Sequence, residues 1–308
     1  MNDSEIRKDY FKDEYVIIAP KRDMRPKKVV DDCAPAPAKP CYFCPEYFDN
    51  TQTITYRDNN GNGDWEIISF LNKFPSVTLD NPKAFGQAEV MVETRSHSLE
   101  INNFSVEHIV RVFNAYAERY QALHKIKGIK HVIVFKNEGG KAGASIQHSH
   151  SQIIALPLVP PKIKDEIRDY SEYRITHDNC PYCDIITQES GSERVIWEDE
   201  NIFALSPYAS NAPYGVWLIP KRHFKTILEL THHEKISIAK SFKLVLGKLD
   251  ELGLPYNYFF ENSVNNEDYH MHIKIAPRPN IWAGLELGTG IIVNPVSPEF
   301  AASIYKNQ

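Results

Sequence analysis

Two rhythms of apolar residues run along the chain. The stretches EVMVETRSH (residues 89–97) and GVWLIPKRH (215–223) are rich in β-branched and large residues and close on a histidine. Each reads as a strand. Ser105 and Thr231 follow at the same distance from those histidines and have the character of helix N-caps. Thr231 with Glu234 has capping-box spacing. Beyond Ser105, apolar residues fall at Val106, Ile109, Val110, Phe113, Ala117, Tyr120 and Leu123. Beyond Thr231 they fall at Ile236, Ile238, Ala239, Phe242, Val245, Leu246 and Leu249. Both patterns predict a long amphipathic helix with one buried face. A second strand follows each helix: HVIVFKN, ending at Asn137, and YNYFFEN, ending at Asn262. Before each first strand lies a hairpin pattern, TITYRDNNGNGDWEIISF and RVIWEDENIFAL. Residues from Pro157 to about Asp178 read as a connection, and PAPAKP (35–40) as a stiff lead-in.

Histidines and cysteines repeat in the same order. Cys41/Cys44 precede the first strand–His–helix–strand series and Cys180/Cys183 the second. Each series ends in a His-x-His motif, His148-Ser149-His150 and His270-Met271-His272. Recurrence of so many ordered features points to an internal repeat. The chain of 308 residues is long enough for about two domains. These are the two copies, expected at 1–165 and 166–308 and sharing a continuous sheet.

The five cysteines are odd in number and too sparse for a disulfide scaffold. Two Cys-x-x-Cys pairs suggest metal or redox chemistry, with Cys33 as a bystander. The matched histidines favour metal. Four Cys or His ligands make a closed tetrahedral zinc site. The repeated slots select Cys41, Cys44, His97 and His148 for one site, and Cys180, Cys183, His223 and His270 for the other.

The two His-x-His motifs differ in what leads up to them. The first approach, EGGKAGASIQ, holds Gly139, Gly140, Gly143 and Ser145; the second, SVNNEDY, is shorter and carries Glu267 and Asp268. Glycines let the backbone come close and turn its N–H groups inward around a phosphate. Two residues past the motif stand Gln152 in the first copy and Lys274 in the second. Gln152 shares a strand face with His150 and can donate to a phosphate oxygen. The chemistry is therefore assigned to the first copy. Its nucleophile is His150, a largely neutral imidazole at pH 7.

The segment GGKAGASIQHSHSQIIALP resembles the active-site segment of the galactose-1-phosphate uridylyltransferase family, a branch of the histidine-triad superfamily. The resemblance covers nearly the whole chain. NKFP (72–75) resembles the family's nucleotide-contact segment, and YVIIAPKRDMRPK its N-terminal strand and phosphate-contact loop. The resemblance implies an α+β fold: a tandem repeat of two histidine-triad-like units, each a mainly antiparallel sheet with one long helix. It further implies a ping-pong nucleotidyltransferase. His150 forms a covalent nucleotidyl-histidine, His148 binds metal, and Ser145 and Gln152 hold phosphates. Arg22, Arg25, Asn72, Phe74, Asn137 and Gly143 are candidate substrate contacts.

The well-studied uridylyltransferases carry His-Pro-His-Gly-Gln, whereas this chain has His-Ser-His-Ser-Gln. The C-terminal WAGLELGTGIIVNPVSPEF is similar to the subgroup that includes ADP-glucose phosphorylase. There, inorganic phosphate replaces hexose 1-phosphate as acceptor. Gly288 and Thr289 are candidates for a second phosphate cradle, and a turn between strands accounts for them equally. In the family this region serves the partner subunit's site, which implies a homodimer. The leading expectation is transfer from UDP-glucose to galactose 1-phosphate in galactose metabolism. The alternative is adenylyl transfer from ADP-glucose to phosphate.

Charge narrows the field. Lys plus Arg total 35 and Asp plus Glu 40, a net charge of -5. That opposes the rival reading of a zinc-bearing nucleic-acid-binding module. No apolar run is long enough to span a bilayer, so a cytoplasmic location with no membrane partner is expected.

Overall fold

Ser105 and Thr231 cap the two long helices as their spacing predicts. The Ser105 side chain accepts from the His108 N–H and opens α1 (Val106–His124). Thr231 and Glu234 form a capping box at the start of α4 (His232–Glu251). The helices lie side by side on one face of a large sheet, where Phe113 meets Phe242 edge-on at 5.4 Å between ring centroids. The computed structural model describes residues 4–20, 40–59, 64–264, 267–279 and 281–307.

In chain order the other elements begin with β1 (Glu5–Lys8), β2 (Tyr15–Ile18), β3 (Ile54–Asn59), β4 (Trp65–Leu71) and β5 (Gln87–Val92). After α1 come β6 (His131–Glu138) and β7 (His150–Leu156). Two helices follow, α2 (Pro161–His177) and α3 (Pro181–Glu189), then β8 (Val195–Glu198), β9 (Ile202–Leu205) and β10 (Val216–Pro220). After α4 come β11 (Tyr256–Glu261), β12 (His272–Pro277), α5 (Gly284–Thr289), β13 (Ile292–Asn294) and α6 (Pro298–Lys306). The fold is α+β.

Ten strands form one sheet in the order β3-β4-β5-β7-β6-β11-β12-β10-β9-β8. Every pairing in it is antiparallel. The expected shared sheet is closed at its centre, where β6 pairs with β11. A small sheet, β1-β2-β13, joins the two ends of the described chain.

Alternation along the central strands decides what faces the helices. Val132, Val134, Ile153, Ala155, Tyr258, Phe260, Ile273 and Ile275 pack with α1 and α4 in the main core. Cross-strand partners point to one face, so the opposite face carries Gln152, Phe135, Phe259, Lys274 and Trp217 as a row. His150 and His272 stand beside Gln152 and Lys274 on that face. Two aromatic clusters back it. One, with Phe43, Phe48, Trp65 and Phe70, adjoins Cys41; the other contains Tyr170, Cys180, Tyr182 and Tyr269.

The stretch read only as a connection is mostly helical. Pro161 supplies a preset φ at the start of α2, and Asp178 ends it in a left-handed conformation. The equation of Asn137 with Asn262 is corrected by one residue. Gln152 pairs with Phe135 and Lys274 with Phe259, so Glu261 takes the place of Asn137. A one-residue shift moves a side chain to the other sheet face, and Asn262 is buried against Ile227 instead.

Candidate active site and metal centres

Each Cys-x-x-Cys pair is brought to its two histidines. The ligand atoms of Cys41, Cys44, His97 and His148 all lie within 4.8 Å of one another, as do those of Cys180, Cys183, His223 and His270. Both groups could hold a metal ion. The local frames differ. Cys44 closes a tight turn, its N–H donating to the Cys41 carbonyl. Cys180 instead caps α3, placing Cys183 in the first helical turn.

Ring orientation is fixed from behind. The His148 Nε2–H donates to the Thr94 carbonyl at 2.7 Å, and the His270 Nε2–H to the Pro220 carbonyl at 2.8 Å. Each Nδ1 is therefore left as the lone-pair nitrogen facing the thiols. Its distances to sulfur are 3.7 and 3.6 Å at His148, and 3.5 and 3.6 Å at His270. His223 Nε2 lies 3.0 Å from Asp268, a carboxylate partner of the kind that orients metal ligands.

His150 has the opposite tautomer. Its Nδ1–H donates to the His148 carbonyl at 2.8 Å, which leaves Nε2 as the basic nitrogen. Burial pushes the imidazole's pKa down, and the bond to the His148 carbonyl opposes that only in part. Phe43, between the two cysteines of the first pair, packs edge-on against the ring at 5.2 Å between centroids. The metal-type turn thus presses directly on His150.

Around His150 the predicted contacts are partly assembled. Gln152 is half-buried on the same face. Asn137 Oδ1 accepts from Asn257 Nδ2 at 2.8 Å, and the same amide also donates to the Ala142 carbonyl at 2.8 Å. Gly139 and Gly143 have φ of +82° and +93°, the left-handed backbone that glycine permits. The loop turns its own amides inward. The N–H groups of Ala142, Gly143 and Ala144 donate to the carbonyls of Gly139 and Gly140. These three are therefore not free to cradle a phosphate; Ser145 stands exposed at the loop's end with a hydroxyl that can donate to one. Asn72 pairs by its backbone with Ala88, and Ala88 lies opposite Ile154, two residues past Gln152. The Asn72 side chain accepts from the Phe74 N–H, and the Phe74 ring is 85% exposed.

Gly288 and Thr289 do not form a turn between strands. They sit exposed in the last turn of α5, and the Thr289 hydroxyl donates to the Leu285 carbonyl. Arg22, Arg25 and Cys33 lie outside the described residues.

A buried polar network behind the motif escaped the sequence reading. Ser149 and Ser151 point away from the histidines and bond to Glu93. Glu93 also accepts from Lys136 Nζ at 2.9 Å and from Tyr116, and Tyr116 is 2.8 Å from Tyr258 of β11. The signal was present: Lys136 continues the inward alternation of Val132 and Val134, and Glu93 follows an apolar run.

Residues 25–159 match a family described as Domain of unknown function (DUF4931) N-terminal domain. Residues 166–279 match the galactose-1-phosphate uridyl transferase C-terminal domain. A galactose-1-phosphate uridylyltransferase of Thermotoga maritima is 32% identical over 266 residues, covering 78% of this chain and 83% of that protein. An ADP-glucose phosphorylase of Arabidopsis thaliana is 28% identical over 98% of this chain and 92% of its own. The crystal structure of an Arabidopsis ADP-glucose phosphorylase with bound ADP-glucose superposes with a TM-score of 0.89 at 28% identity, covering 100% of this chain and 99% of that one.

Proposed function

Since the chain belongs to the galactose-1-phosphate uridylyltransferase family, we propose that His150 is its nucleophile and that it works by ping-pong nucleotidyl transfer. The observation that carries this is the tautomer of His150. With Nδ1–H tied to the His148 carbonyl, Nε2 keeps its lone pair for attack on the α-phosphorus of a sugar nucleotide. The P–O bond to the sugar phosphate breaks, and the sugar 1-phosphate leaves. An acceptor phosphate oxygen then attacks the same phosphorus and releases His150. Gln152 and Ser145 would bind the phosphate oxygens, with Asn72 and Phe74 beside the nucleoside. Arg22, Arg25 and Asn137 complete the proposed phosphate contacts, with Gly143 keeping the loop backbone close beside Asn137; Gly288 and Thr289 would serve a partner's site in a homodimer.

The two Cys/His quartets fit zinc. A tetrahedral ion about 2.3 Å from sulfur and about 2.0–2.1 Å from nitrogen sets sulfur–nitrogen edges near about 3.6 Å. The Cys–His distances of 3.4 to 3.8 Å match that edge. Zinc would supply a crosslink with no open coordination position, so its part is to hold the His148 end of the histidine strand.

We further infer that the chain is a tandem of two histidine-triad-like units, 1–165 and 166–308. Support comes from the sheet order, which runs outward from the β6/β11 pair through equivalent strands on both sides.

UDP-glucose as donor with galactose 1-phosphate as acceptor is the first reading of the substrates. Adenylyl transfer from ADP-glucose to phosphate is the second, favoured by the superposition over the full chain with ADP-glucose phosphorylase. Mixing the enzyme with UDP-glucose and galactose 1-phosphate should yield glucose 1-phosphate. ADP production from ADP-glucose and inorganic phosphate, with no uridylyl exchange, would replace the first reading by the second.

A further inference from the structure

The second His-x-His motif is built like the first. The His272 Nδ1–H donates to the His270 carbonyl at 2.9 Å, so its Nε2 also keeps a lone pair. Yet His272 is fully buried, and its Nε2 has no hydrogen-bond partner among the described residues. The Tyr182 ring covers it, with centroids 4.1 Å apart.

The charged group facing this nitrogen is Glu166 of α2, whose carboxylate lies 3.8 Å away. Glu166 gathers donors from several elements. Lys274 Nζ approaches both oxygens at 2.9 Å, and Lys12 Nζ reaches one at 2.9 Å. The hydroxyls of Tyr182 and Tyr269 donate at 2.7 and 2.8 Å. Glu261 also touches Lys274, at 3.2 Å. Lys274 occupies the slot of Gln152, and Glu261 that of Asn137.

Two ammonium groups and two phenols converging on one carboxylate are the surroundings of a bound oxyanion. We propose that Glu166 is a built-in substitute for a phosphate group, seated where the second unit would otherwise take its ligand, and that removing its carboxylate opens a site for a small oxyanion. This deepens the tandem-unit reading and rests on it. It accounts for one reactive histidine per chain: the second is walled in by tyrosines and already faces an anion. Removing Glu166 leaves Glu261 beside Lys274 but takes one negative charge from the two buried ammoniums, which an oxyanion from solution would replace.

The test is Glu166→Ala, with Glu166→Gln as a control that keeps the volume. Inorganic phosphate is titrated at constant ionic strength, and melting temperature is compared with wild type. The expected result is a rise of about 5 °C or more in Glu166→Ala beyond any wild-type shift, with Glu166→Gln following wild type. If Glu166→Ala does not fold in chloride, its refolding yield in phosphate and in formate becomes the readout, and recovery is expected. A folded Glu166→Ala that responds to phosphate no more than wild type, or a refolding yield that no oxyanion restores, would overturn the proposal. A nucleotidyl adduct on His150 is a separate readout, so either idea can fail without the other.

Discussion

The ammonium of Lys136 lies 2.9 Å from the carboxylate of Glu93, and both side chains are completely buried. The pair sits directly behind the strand that carries His148 and His150, with the Ser149 hydroxyl 2.7 Å from the same ammonium. Deleting one partner leaves a buried charge. Lys136→Met should cost about 3–5 kcal/mol in urea unfolding. Lys136→Met combined with Glu93→Gln should recover part of that loss.

Acid stability follows from the same pair. Burial disfavours the Glu93 carboxylate, but Lys136 and the hydroxyls of Ser151 and Tyr116 outweigh it and hold the pKa down at about 2. A carboxylate depressed in the folded state stabilises fully above its unfolded pKa of about 4.3. That contribution drains away as pH falls from there through about 2. Glu93→Gln should therefore flatten the acid limb of a stability-versus-pH curve in this window. An unchanged limb would show that Glu93 is not held ionised.

Ser151 lies between His150 and Gln152 and bonds to Glu93 and Tyr116. Ser151→Ala removes one donor to a buried carboxylate and should cost about 1–3 kcal/mol. The loss is measurable by chemical denaturation.

Phe43 links the first Cys/His quartet to the proposed nucleophile, His150. Phe43→Leu keeps the site apolar but loses the edge-on contact with His150. Adduct formation should slow by about ten- to a hundredfold, with zinc content unchanged. Loss of zinc together with activity would instead make Phe43 a support of the metal turn.

Chelation should act on stability first. Each quartet offers four protein ligands, enough to close a tetrahedral site, so metal removal should lower the melting temperature before or together with loss of turnover. Turnover abolished at an unchanged melting temperature would contradict a structural role.

Much of this was legible in the chain because the signals were local. Ser105, Thr231 and Glu234 mark their helices by fixed spacing, and the eight Cys and His residues of the two quartets recur in order. What stayed hidden depended on distant partners. Helix α2 has few apolar positions, and its buried residues include Glu166, whose partners Lys12 and Lys274 lie far away in sequence. Aligning Asn137 with Asn262 by residue type missed the strand register that pairs Phe259 with Lys274. The β1-β2-β13 sheet joins residues near 5–18 to residues near 292–294, for which no local pattern exists.

The central claim is a covalent nucleotide on His150, and intact-mass spectrometry of the enzyme with a sugar nucleotide alone tests it most directly. Incubation with UDP-glucose should add one UMP per chain, or with ADP-glucose one AMP. The adduct should map to His150, vanish in His150→Asn, and be discharged by the acceptor phosphate. An unmodified chain with both donors, while turnover proceeds, would contradict the account.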